Sequence, residues 1–152
     1  LTRVDGSYMD NTLQDGEIML IWSLGYTPEQ GDIVVLNKTP AVLAGWPGPR
    51  AIVKRVIATG GQTVDIDYGA GIVYVDGYPL DEPYILEEMY LPYSTTMQQT
   101  HWEVPEGSVF VMGDNRNGST DSRDIQIGTV DTGYILGKAV LALWPMDRFG
   151  TV

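Results

Sequence analysis

Ala51-Ile52-Val53-Lys54-Arg55-Val56-Ile57-Ala58 is apolar on both faces when read with a period of two, except that two cations interrupt it. Ile52, Lys54, Val56 and Ala58 share one face, and Val53, Arg55 and Ile57 share the other. A short β-branched run of this kind reads as a strand. If the strand is central, at least one cation is partly buried. A desolvated lysine loses its charge, and its neutral amine could then act as a general base. If the strand lies at an edge, both stems reach water and neither cation is special. Spacing alone leaves the two open.

On either side the same texture continues. Glu17 to Trp22, Asp32 to Leu36, Thr63 to Ile66, Ile72 to Val75, Ser108 to Met112 and Lys138 to Trp144 are short apolar or alternating runs separated by turn signals, and each reads as a strand. Val75-Asp76-Gly77-Tyr78 marks a hairpin, because Asp-Gly tolerates the positive φ of a type I′ turn. No apolar stripe of helical period runs for three turns, and Asp81 to Gln99 is polar, aromatic and broken by prolines, as in a long loop or irregular lobe. The 152 residues suffice for one compact unit with a lobe inserted in it. With 18 Gly, 9 Pro and 10% aromatic residues, the composition favours a turn-rich β fold.

Composition also removes several functions. A formal charge of -11 repels a phosphate backbone, so no nucleic acid is expected as a partner. Without cysteine there is neither a disulfide framework nor a thiolate nucleophile, and His101, the single histidine, precludes a His-rich metal site. His101 precedes Trp102 in a polar stretch and is expected at the surface. No apolar run approaches the roughly 18 residues that span a bilayer. Because the sequence starts at Leu1 and soon enters structured segments, an N-terminal anchor is expected to have been removed.

Directly after Val109-Phe110-Val111-Met112 comes Gly113-Asp114-Asn115-Arg116-Asn117-Gly118-Ser119-Thr120-Asp121-Ser122-Arg123-Asp124. So many short polar side chains suggest a loop that bonds to its own backbone, with Asp121 and Arg123 placed to form an ion pair. A calcium loop fits poorly. With Gly118 at its sixth position, an Asp would be required where Gly113 stands, and Arg116 would bring a cation among the ligands.

Taken in order, these segments resemble type I signal peptidase, a membrane-anchored Ser/Lys endopeptidase. Val4 to Leu13 resembles the nucleophile box, Gly31-Asp32-Ile33-Val34-Val35 the next strand box, and Val53-Lys54-Arg55-Val56-Ile57 the box of the general-base lysine. Gly113 to Arg123 resembles the last, followed by Gly128-Thr129-Val130 and Gly137-Lys138-Ala139. The resemblance implies an all-β fold of antiparallel β-sheets, with a catalytic core at 1–64 and 106–152 and a small inserted β lobe at 65–105. It implies removal of signal peptides from exported preproteins at the extracytoplasmic face of the membrane, with no cofactor and no metal. Lys54 would be the base, Ser119 would orient its amine, and the backbone at Gly6 and Tyr8 would hold the oxyanion. Met9, Asp114, Arg116, Asp121 and Arg123 would support the site.

The nucleophile position itself departs from the family. Where the resemblance places the catalytic serine, immediately before Met9, stands Tyr8; Asn11 also replaces a proline, without consequence for the chemistry. A phenol oxygen reaches roughly 4 Å farther than a serine oxygen, whereas a displacement of about 1 Å can already cost a hundredfold in rate. Ser7 would point to the opposite face of an extended segment unless the chain slipped by one residue. The chain as written is therefore expected to be an inactive signal peptidase. The alternative is a non-catalytic relative serving as a peptide-binding or pilus-assembly factor, while a self-cleaving Ser/Lys repressor domain lacks a DNA-binding partner domain in this acidic chain. Membrane contact is expected through Pro40-Ala41-Val42-Leu43-Ala44-Gly45-Trp46-Pro47, an uncharged apolar stretch carrying a tryptophan.

Overall fold

The structure is a computed structural model that describes residues 1–37, 52–90 and 95–152. The 40–47 stretch lies outside the described residues. Twelve strands are described: β1 (Thr2–Arg3), β2 (Ile18–Trp22), β3 (Ile33–Leu36), β4 (Ile52–Thr59), β5 (Thr63–Asp67), β6 (Ile72–Val75), β7 (Tyr78–Pro79), β8 (His101–Glu103), β9 (Ser108–Met112), β10 (Val130–Asp131), β11 (Ile135–Trp144) and β12 (Gly150–Thr151). Single 3-10 turns at Thr132–Tyr134 and Met146–Arg148 are the helical elements among the described residues. The fold is antiparallel and all-β.

One sheet runs β1-β2-β11-β3-β4-β9-β10, with β12 paired to β11; a second runs β7-β6-β5-β8. β4 is therefore central, with Val34 opposite Lys54 on β3 and Met112 opposite Arg55 on β9. This excludes the edge-strand reading in which both cations reach water. Lys54 is 1% exposed and Arg55 9%. On the Lys54 face, Val34, Leu36, Ile52, Val56, Val109 and Val111 pack together. Each such side chain stabilises the fold by roughly 1.5–3 kcal/mol through burial. The Arg55 face divides between two clusters, Val53 packing with Val4, Met9 and Leu13, and Ile57 with Phe110 and Met112. A register shift between Val56 and Ala58 lets β4 turn from one to the other.

The second sheet closes over Phe110 with the alternate residues Val64, Ile66, Val73 and Val75 and with Trp102, whose ring lies 4.8 Å from that of Phe110. In the β6–β7 hairpin Asp76 and Gly77 have φ of 51° and 82°, as a type I′ turn requires. His101 opens β8 opposite Asp65, and its ring pairs with that carboxylate at the surface.

Most strand limits differ from the sequence reading by a residue or two, and two differences are chemical. Glu17 falls outside β2 because its buried carboxylate accepts from Gln14 N and pairs with Arg148. Asp32 falls outside β3, where it accepts the Tyr26 hydroxyl at 2.6 Å and pairs with Lys138 at 3.1 Å. Strands of two or three residues, such as β1, β8 and β12, carry too few residues for a period to be read.

Candidate active site

β4 delivers Lys54 to a hydrogen-bonded chain. Its Nζ donates to Ser119 Oγ at 2.9 Å, and that hydroxyl donates to Asp121 Oδ2, also at 2.9 Å. Burial pushes the amine down from 10.5 to about 8; the charge of Arg123 acts in the same sense, and Asp121 and Asp114 oppose it. Near neutrality a usable fraction of this lysine is therefore an unprotonated amine.

Asp121 organises the 113–124 loop. Its Oδ1 accepts from Arg123 Nε at 2.8 Å, and its Oδ2 accepts from Arg123 Nη2 at 2.9 Å and from Gly113 N at 3.0 Å. Burial alone would raise this carboxyl, but the Arg123 charge and these hydrogen bonds hold it below its ordinary value. Arg123 also donates to the carbonyls of Arg116 and Ser119, which closes the loop on itself. Ser122 ties it to β9 by exchanging hydrogen bonds with Val111.

A second ion pair stands beside the first. Arg55 grips Asp114 in a two-pronged contact, Nε to Oδ1 at 2.9 Å and Nη2 to Oδ2 at 2.7 Å, and donates to Gly31 O at 2.7 Å. Thr12 also donates to Asp114. Arg116 donates to Gly113 O at 2.8 Å and pairs with Glu82. Among the described residues no three His, Asp or Glu side chains gather into a metal site.

The Val4–Leu13 segment brings Tyr8 to the same place. The Lys54 amine lies over the Tyr8 ring, 4.3 Å from its centroid. Tyr8 O accepts from Asn115 N and Ser7 O from Asn115 Nδ2, both at 3.0 Å, so position 8 is tied to the Ser119 loop through its backbone. Ser7 is exposed, and Met9 is buried with Val4 and Leu13. Gly6 adopts φ of 86°, and a Cβ there would come within 2.8 Å of the Tyr8 ring. Its N–H donates to Asp15 Oδ1 at 2.8 Å.

Tyr8, Lys54, Ser119, Asp121 and Arg123 thus converge, with Arg55–Asp114 and Arg116 behind them. Sequence reasoning missed Gly113, where a Cβ would sit 2.5 Å from Tyr8 O and press on the Ser119 hydroxyl. It also missed Thr12, Glu82 and Tyr84, which approach from distant parts of the chain; no spacing signals such contacts.

Residues 1–144 match the family model described as signal peptidase, peptidase S26. The chain is 39% identical over 143 residues to a protein of Synechocystis sp. described as "Probable signal peptidase I-1", covering 91% of this chain and 68% of that one. It is 34% identical over 169 residues to the signal peptidase I of Mycobacterium tuberculosis, covering 96% of this chain but only 57% of that protein. Among solved structures, that of a signal peptidase I from Enterococcus faecalis superposes with a TM-score of 0.55 at 27% identity, covering 74% of this chain and 97% of that one.

Proposed function

The chain belongs to the signal peptidase family, peptidase S26, and from that premise we propose that it is the catalytic domain of a signal peptidase I silenced at position 8. The observation that carries this reading is the buried Lys54–Ser119 hydrogen bond, with burial lowering the amine. Desolvating a lysine is costly, and a domain that only bound peptides would gain nothing from it.

In the proposed chemistry a serine hydroxyl at position 8 attacks the scissile carbonyl, and Lys54 Nζ takes its proton. Ser119 and Asp121 hold the amine in place, while backbone N–H groups near residues 6 and 8 stabilise the oxyanion. Gly6 N–H would have to exchange Asp15 for that oxyanion. With tyrosine in place, the amine faces an aromatic ring and no acyl-enzyme forms. The substrate class is the signal peptide of exported preproteins, cut after small residues at the extracytoplasmic face of the membrane. Residues 40–47 would touch the bilayer, residues 1–64 and 106–152 would form the core, and residues 65–105 the inserted lobe. Among the described residues no helix is long and apolar enough to cross a membrane.

The test restores the hydroxyl. Tyr8→Ser and the parent chain are each mixed with a detergent-solubilised preprotein carrying an Ala-x-Ala site, and cleavage is followed by mass spectrometry. Cutting at that site by the serine variant alone is the expected result. Binding of the peptide by both, with cleavage by neither, would transfer the chain to the peptide-binding or assembly reading.

A further inference from the structure

Three stretches carry the site: residues 4–13 with Tyr8, β4 with Lys54, and the 113–124 loop with Ser119. Tyr84 belongs to none of them and touches all three. Its ring lies 3.8 Å from the Arg55 guanidinium and 6.0 Å from that of Arg116, measured centroid to Cζ. Its hydroxyl donates to Glu82 at 3.3 Å, and Glu82 pairs with Arg116. Its carbonyl lies 3.4 Å from Thr12 Oγ1, whose proton goes to Asp114, and two residues later Leu86 N donates to Asp114 O at 3.1 Å. Burial and the neighbouring Glu82 push the phenol up to about 12, so it stays a neutral donor at working pH.

We propose that Tyr84 is a positioning residue for the Lys54–Ser119 pair: it clamps Arg55, Asp114 and Arg116 at the junction of the three stretches. The charged groups that act on Lys54 are Asp121, Arg123 and Asp114. All three belong to the loop, so Tyr84 acts only through the side chains it clamps. Arg116 holds Gly113 O, and Gly113 packs against Ser119, which links the clamp to the pair. Loosening Arg55 from Asp114 would leave more negative charge facing the amine, which raises its basicity.

This inference rests on Lys54 being the base, and its test separates the two ideas. The whole chain is labelled at lysine Cε, and the three lysines, Lys38, Lys54 and Lys138, are titrated by NMR, with Lys54 assigned by its absence from Lys54→Met. The parent signal is expected to titrate near 8. Tyr84→Ala should raise that midpoint by about one unit, a tenfold change in basicity. Tyr84→Phe keeps the ring between the guanidiniums and should restore the parental midpoint. If Tyr84→Ala does not fold, Tyr84→Leu keeps most of the volume without the π face and should show the same rise. A folded Tyr84→Ala or Tyr84→Leu with an unmoved Lys54 midpoint overturns the proposal. In the Tyr8→Ser background, Tyr84→Ala should lower kcat about a hundredfold with KM unchanged. If Tyr8→Ser proves inactive, the functional reading fails, while the titration still decides the role of Tyr84.

Discussion

The amine of Lys54 rests against the face of the Tyr8 ring, 4.3 Å from its centroid, and donates to Ser119 Oγ at 2.9 Å. A ring face favours the ammonium form, whereas burial favours the neutral amine. Burial pushes this amine down to about 8.

The rate profile of Tyr8→Ser reads the titration of the same amine without the ring. A general base must be unprotonated, so below the Lys54 midpoint, which burial holds under the ordinary 10.5, kcat/KM should rise close to tenfold per pH unit, and above it the rate should level off. Peptide cleavage measured between pH 6 and pH 10 checks this. A profile flat across that window would mean that no group titrating within it takes the proton.

Lys54 should also cost stability. Its folded value, about 8, lies below the ordinary 10.5, so between these two values the unfolded chain binds more protons and stability rises with pH. At pH 7 the folded state bears the full penalty, about 3 kcal/mol from a shift of this size. Lys54→Met keeps the stem and leaves Ser119 bonded to Asp121, so it should stabilise the chain at pH 7 by up to ~3 kcal/mol. The gain should disappear above pH 10.5. Urea denaturation at pH 7 and pH 11 measures both.

How much of this was legible in the sequence depends on distance along the chain. The seven longest strands and the Asp76-Gly77 hairpin follow from apolar period and turn chemistry, which are local. Asp121 and Arg123 are two residues apart, and their pairing could be read directly. The fate of Lys54 and Arg55 could not be read from spacing, because whether β4 is central depends on β3 and β9 pairing with it from 20 and 57 residues away, as in Val34↔Lys54 and Arg55↔Met112. Only resemblance placed the lysine in a site. Tyr84 reaches Arg55 and Arg116 from a polar stretch with no period, so no pattern marks it.

Asp121 should govern the acid limb of stability. Its folded pKa is held below the ordinary 3.8, so the stabilisation is complete above that value and is lost as pH falls through the folded value. Asp121→Asn removes the charge that compensates buried Arg123 and should cost about 3–5 kcal/mol at pH 7. It should also flatten the decline in stability below pH 4, where the parent is still losing this contribution. Denaturant midpoints of both proteins from pH 2 to pH 7 decide the matter, and parallel curves would show that Asp121 does not set the slope.

Gly113 is required for space. Its φ is not in the left-handed region, so alanine meets no backbone strain there. An added Cβ would stand 2.5 Å from Tyr8 O and 2.6 Å from Ser119 Cβ, and would press on the Ser119 hydroxyl. Tyr8 O cannot retreat without breaking its 3.0 Å bond from Asn115 N. Rotating Ser119 would surrender its bonds to Lys54 and Asp121. Whichever side yields, position 8 and the amine move apart. Gly113→Ala should therefore cost about 1–3 kcal/mol in stability, as overpacking does. In the Tyr8→Ser background it should cost at least about a hundredfold in kcat/KM, because a shift of roughly 1 Å suffices for that. Gly118→Ala is the control within the same loop: the three atoms nearest its added Cβ belong to the Asn115 side chain, which can give up its bond to Ser7 O while Asn115 N still holds Tyr8 O. It should leave kcat/KM within about threefold, an effect below 1 kcal/mol. Equal losses from the two substitutions would show that the whole loop had been disturbed, and the close packing of Gly113 against Tyr8 and Ser119 would not be what holds the site together.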